Sequence, residues 1–200
     1  MSDEMTLSLA VAPADDALLV DRAAAKTHLR ILHTSEDAEI DALLIAAHAY
    51  AETLTGSAFR RATWELALPA FPVAEIRLPY PPLVSVSSIT YRDSGGTSQT
   101  LDAGAYIVAK RRGCGRVVPV SSWPLTAAHP EAVVVRFVSG YAAADALDLA
   151  EARQAQHAIK LLVGHWYANR EAFGDGKGAG APPPHSVESL LSRYYAKGWV

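Results

Sequence analysis

The side chains here that could take part in chemistry are one cysteine, seven histidines, a glycine run and a basic cluster. Cys114 lies in the loop Lys110-Arg111-Arg112-Gly113-Cys114-Gly115, where Arg112 and Arg116 would favour a thiolate. No general base is tied to it by spacing, so it reads as an incidental hairpin cysteine. His157 and His165 are eight residues apart, which puts them about 80° apart around a helix and more than two turns apart along it. Such a pair cannot hold one ion, and neither HExxH nor CxxC occurs. His165, beside Trp166 and Tyr167, reads as a packed helix residue. Gly174 to Gly180 has the glycines of a phosphate loop but leads into Pro182-Pro183-Pro184, whereas a phosphate loop opens a helix. No catalytic residue, metal ligand or cofactor site is assigned, and no cofactor is expected.

Two features point instead to binding. Lys110, Arg111, Arg112 and Arg116 place four positive charges within seven residues, enough for subunit contact or for several phosphates of DNA. No aromatic residues interleave with them to stack bases. The C-terminal run Tyr194-Tyr195-Ala196-Lys197-Gly198-Trp199-Val200 follows a glycine- and proline-rich stretch. Large apolar residues behind such a tether form a peptide that can dock into a groove on another protein, with Tyr194, Tyr195 and Trp199 as anchors, or that packs back onto the chain's own helical bundle.

Several elements must position these groups. Asp21 caps a short helix from Arg22 to about Leu32, with Ala25, Leu29 and Leu32 on one face. Ser35 caps a second helix with acids in its first turn, and Ile40, Leu43, Leu44, Ala47, Tyr50, Ala51 and Leu54 recur at helical steps up to the stop at Gly56. From Ala62 the period changes to two. Ala62–Leu68, Glu75–Leu78, Val84–Tyr91, Gln99–Leu101, Ala105–Val108, Arg116–Val118 and Glu131–Val138 read as short strands, with a hairpin turn at Asp93-Ser94-Gly95-Gly96. They predict a small antiparallel sandwich or barrel-like module. A further helix runs from near Asp148 to about Asn169, and a short one restarts at Ser186 with Leu190 and Leu191.

Composition is that of a globular chain: 200 residues, 50% hydrophobic, 20% charged and 8% aromatic. No apolar run approaches the roughly 18 to 20 residues that cross a bilayer, and the start lacks a basic leader, so a soluble cytoplasmic protein is expected. A lone cysteine asks for no oxidising compartment. The net charge of -3 is uneven: residues 1–56 carry -7, residues 57–144 carry +4, and 145–200 hold six charges of each sign. Such polarity suits copies that pack against one another, the acidic helix 36–52 meeting a neighbour's β module.

The order of motifs adds a resemblance. Ala23-Ala24-Ala25-Lys26-Thr27-His28-Leu29-Arg30, Glu36 to Leu44, Tyr50 to Gly56, Thr63-Trp64-Glu65-Leu66, Ile76 to Leu83, Val86 to Tyr91, Ser122-Trp123-Pro124, Val134 to Tyr141 and His165 to Glu171 follow one another. In that order the chain resembles the head-tail connector (adaptor) proteins of tailed phages and of phage-derived gene transfer agents, over about residues 20 to 195. The resemblance implies an α+β fold: a helical bundle, the connector core, with an inserted small antiparallel β module. It implies a non-enzymatic structural subunit of a phage-like particle, made in the host cytoplasm. The homo-oligomeric ring, a dodecamer, would sit between portal protein and tail or stopper protein and line the genome passage, with transient DNA contact and no membrane partner. Portal docking would fall to Leu190, Leu191, Tyr194, Tyr195 and Trp199. The expected organisation is a flexible arm at 1–20, the core at 21–56 and 145–172, the β module at 57–144, a tether at 173–185 and a docking helix and tail at 186–200. The alternative is a non-enzymatic nucleic-acid-binding or regulatory module using the hairpin 110–116.

Overall fold

The structure, a computed structural model, describes residues 5–12, 18–111, 114–141, 150–169 and 185–196. Among these, residues 5–12 and 61–140 form one compact unit, and residues 18–60 with 141–196 form another. It is a mixed α+β chain of helices and antiparallel sheets.

Among the described residues the β unit has eight strands: β1 (Thr6–Val11), β2 (Ala62–Leu68), β3 (Ile76–Leu78), β4 (Leu83–Arg92), β5 (Ser98–Thr100), β6 (Tyr106–Arg111), β7 (Cys114–Pro119) and β8 (Val133–Ser139). They pair as a five-stranded sheet, β1-β2-β8-β4-β5, and a three-stranded sheet, β3-β7-β6. The alternation read from the sequence is the reason. On β8 Val133, Val135, Phe137 and Ser139 are buried while Arg136 is exposed, which is the period-two signature of a strand with one covered face. Leu66, Ile89, Val135 and Phe137 from one sheet share a core with Ile76, Leu78 and Val117 from the other, as in a sandwich. Asp93 builds the expected hairpin turn, its carboxylate accepting from the N–H groups of Gly95 and Thr97, both at 3.0 Å.

β1 departs from the expected flexible arm. Thr6–Val11 is an edge strand, Thr6 opposite Ala67 and Leu9 opposite Trp64. The segment becomes a strand because β2 offers an open edge.

Gly115 illustrates how tight the sandwich is. A Cβ built on it would lie 2.4 Å from Leu83 Cδ2 and 2.9 Å from Leu83 Cβ, and Leu83 is itself buried. Gly115→Ala is therefore expected to destabilise the protein by about 1–3 kcal/mol, the usual cost of overpacking. Urea unfolding reads it; an unchanged midpoint would show that Leu83 moves aside freely.

The helical unit contains α1 (Arg22–Leu29), α2 (Asp37–Thr55), α3 (Arg153–Ala168) and α4 (His185–Leu191). Asp21 caps α1 as expected, accepting from Ala24 N–H at 2.7 Å. The helix stops at Leu29, because Arg30 turns left-handed (φ 59) and its N–H bonds back to Lys26 and Thr27 carbonyls. The buried position beyond it is Ile31; Leu32, expected on the packed face, is almost fully exposed. Ser35 does not cap α2, since its hydroxyl pairs with His33 Nδ1. Gly56 ends α2 at φ 66, its N–H bonded to Glu52 O at 2.9 Å. Ile40, Leu44, Ala47 and Ala51 of α2, Ala155, Ile159, Leu162 and Val163 of α3, and Val187 and Leu191 of α4 meet in one core. Among the described residues no helix is long and apolar enough to cross a membrane.

Candidate interaction surfaces

The C-terminal segment is the first surface to place. Leu191 is completely buried and Leu190 packs against the same core, so α4 contributes hydrophobic stabilisation to its own unit. Tyr194 stands edge-on to the buried Phe59 at 5.3 Å between ring centroids, and its hydroxyl donates to Glu151 O at 2.9 Å. Burial pushes its phenol pKa up. Its carbonyl accepts from Ser57 Oγ, and the next turn is tied down by Ala196 N–H to Thr55 O at 2.8 Å. This corrects the expectation of a free docking peptide: Leu191 is a core residue of the helical unit, and Leu190 and Tyr194 are partly buried against that core. Tyr195 keeps 39% of its surface. Trp199 and residues 173–184 of the expected tether lie outside the described residues, while its last residue, His185, opens α4.

The basic hairpin is the turn between β6 and β7. Arg116 is held by Glu75, with Nη1 at 2.9 and 3.2 Å from its two carboxylate oxygens, and Arg77 donates to the same carboxylate at 3.1 Å. Lys110 Nζ donates to Val84 O at 2.6 Å. Arg111 pairs in register with Cys114, while Arg112 lies outside the described residues. The positive charge on this sheet is therefore less than the residue count promised, because one acid from β3's start neutralises part of it. Cys114 is partly exposed.

The acidic helix is likewise partly neutralised from within. Asp37 receives Lys26 at 2.6 Å and Arg22 at 3.3 Å, and Asp41 is bridged by Arg22. Glu52 receives the Phe59 and Arg60 N–H groups and the Arg60 guanidinium, closing the turn after α2. Glu36 accepts from the Tyr167 hydroxyl. Glu39 is exposed with no ion pair among the described residues.

What remains on the outer face of α2 is mostly apolar: Ala38, Ala42, Ile45, Ala46 and Ala49 are exposed at helical steps. Sequence reading concentrated on the buried stripe and passed over this second one. The signal was available, since almost every α2 residue outside the core stripe is alanine, isoleucine or an acid.

The histidines form no metal set; among the described residues no three His, Cys, Asp or Glu side chains converge on one point. His48 is the most unusual of them. It is fully buried in α2, its Nδ1 2.7 Å from Leu44 O and its Nε2 3.4 Å from the Val20 N–H. This fixes the tautomer: Nδ1–H donates and Nε2 accepts. Burial pushes its pKa down to about 4.

The described residues thus define an α+β protein of a helical unit and an antiparallel sandwich. Its fold is that of chains in the neck of gene transfer agent (GTA) particles. Over 98% of its length it is similar to a chain in the neck of an empty GTA particle with C6 symmetry, at TM-score 0.74 and 24% identity, covering 97% of that chain. A chain in the virion of the native GTA particle gives the same values, and a chain in the native GTA neck with C12 symmetry gives TM-score 0.71 and 25% identity over 98% and 97% of the two chains. No protein-family model matches the chain, and no curated protein does. The resemblance in sequence to head-tail connector proteins is thereby borne out in three dimensions.

Proposed function

We propose that the chain is a structural head-tail connector (adaptor) subunit of a phage-like particle, located at the head-tail junction. The carrying observation is the near end-to-end likeness to GTA neck chains, covering 98% of this chain and 97% of theirs. Twelve copies would close a ring beneath the portal and above the tail or stopper protein, with the helical bundle as its core and the genome passing through it. The C6 and C12 symmetries of those necks support a closed ring built from a repeated heterologous contact. The role assigned is mechanical, with no bond made or broken. Portal docking by the C-terminal segment would rest on Tyr195 and Trp199, since the neighbouring leucines and Tyr194 are committed to the subunit's own core. The nucleic-acid-binding alternative loses support, because Arg116 is held by Glu75 and Lys110 by Val84 O.

The test is removal of the chain from the organism that makes the particle. Filled heads without attached tails, restored by supplying the chain, are the expected result in electron micrographs. Complete tailed particles in its absence would overturn the assignment.

A further inference from the structure

We infer, taking the ring proposed above as given, that adjacent copies meet by seating the outer face of α2 on the outer face of the neighbour's three-stranded sheet β3-β7-β6. That sheet has one covered face, formed by Ile76, Leu78, Val117 and Val108. Its other face carries Arg77, Arg116 and Ala109 in one cross-strand row and Val118 and Ile107 in the next. Ile107 is 58% exposed and Val120, just beyond β7, 59%. Exposed apolar side chains on a sheet face, such as Ile107 here, are normally covered by a helix or another sheet.

The second copy is the occupant for three reasons. Each copy carries both halves of the contact open at once, since Ile45 on α2 is 42% exposed while Ile107 is also exposed. The halves differ, so the contact is heterologous and repeats by rotation, and solved necks of the same fold have cyclic symmetry. The charges also complement one another. Residues 61–140 carry a net +3 and residues 18–60 a net -2. Locally, Arg77 and Arg116 share the single carboxylate of Glu75, which leaves one positive charge over, and Glu39 on α2 has no ion pair among the described residues. The expected contact places Glu39 against the Arg77–Arg116 row, and Ile45 with its flanking alanines against Ile107 and Val118.

Charge reversal tests it. Glu39→Arg and Arg77→Glu each change an exposed side chain, so circular dichroism and melting should match the unaltered protein. Self-association of the full chain, read by sedimentation velocity over a concentration series, should weaken about tenfold or more in each single variant and recover in the double variant. Ile107→Asp should abolish it without reference to charge. Where the free protein stays monomeric, the same variants are scored by incorporation into particles, with cryo-electron microscopy of the unaltered ring locating the subunit contacts. Rings that form normally from the single variants, or whose contacts leave these two faces open, overturn the inference while the ring itself stands. Particles whose neck contains no ring of this chain overturn the ring and the inference together.

Discussion

A chain ending at residue 184 is expected to lose the folded helical unit, not merely an attachment arm. Val187 and Leu191 are completely buried among α2 and α3 residues, and Tyr194 covers Phe59, which is itself fully buried. Removing them would open the apolar surface of three elements to water and orphan the Ser57 hydroxyl that Tyr194 O receives. A single Leu191→Ala should cost about 3 kcal/mol, which for a chain of this size lowers the melting temperature by roughly 6–12 °C. The full truncation should therefore give insoluble protein or a helical unit that melts far lower, seen as lost ellipticity at 222 nm. By contrast Tyr195→Ala should leave the melt nearly unchanged and, on the function proposed above, weaken only attachment to the portal. A truncated chain that melts like the full one would show that α4 packs without contributing.

Acid should destabilise the protein first through His48. The folded chain holds this imidazole neutral, pushed down to about 4 by burial, with Arg60 opposing and Glu52 favouring the charge. In the unfolded chain it titrates near 6.5. Between these values the unfolded state binds a proton that the folded state refuses, so stability rises with pH across the window. It is fully present above about pH 6.5 and falls by about 3 kcal/mol as pH drops to about 4. His28 acts in the same direction, lowered by desolvation and then by the charges of Lys160 and His157. Asp37 and Asp93, both lowered by hydrogen bonds to their carboxylates, titrate below the window. Urea midpoints at pH 7.5, 6, 5 and 4.5 should decline steadily, and His48→Gln should flatten most of that decline while lowering stability throughout. A level profile for the unaltered protein would sink the assignment.

The elements legible in the sequence were those whose pattern is set by burial of one face. The buried stripe of α2, the stop at Gly56, the alternation on β8 and the Asp93 turn all follow from local rules, and the structure has each of them. Three features were not legible because partners far along the chain decide them. Thr6–Val11 is a strand only because β2 lies beside it, some 55 residues on. Tyr194 packs against the core only because Phe59 and Ser57, more than 130 positions earlier, meet it. The acids of α2 looked like an open charged face, whereas Arg22, Lys26 and Arg60 neutralise Asp37, Asp41 and Glu52. Counting charges by segment cannot distinguish a pair made inside a unit from one available to a neighbour.

The register at the ends of the β module bears on how the chain folds. Ala62 lies opposite Ser139 where β2 pairs with β8, so the two points at which the chain leaves and re-enters the helical unit are held side by side. Bringing α2 to α3 in an unstructured chain would require closing a loop of about 80 residues, an entropic barrier that grows with the logarithm of loop length. Once the sandwich has formed, that loop is replaced by a short rigid staple, which recovers roughly 2–3 kcal/mol of closure entropy. The helical unit is thereby coupled to a slow, non-local sheet, although helices on their own fold quickly. On the ribosome β8 leaves the exit tunnel before α3 does, so the sandwich can form before α2 and α3 meet.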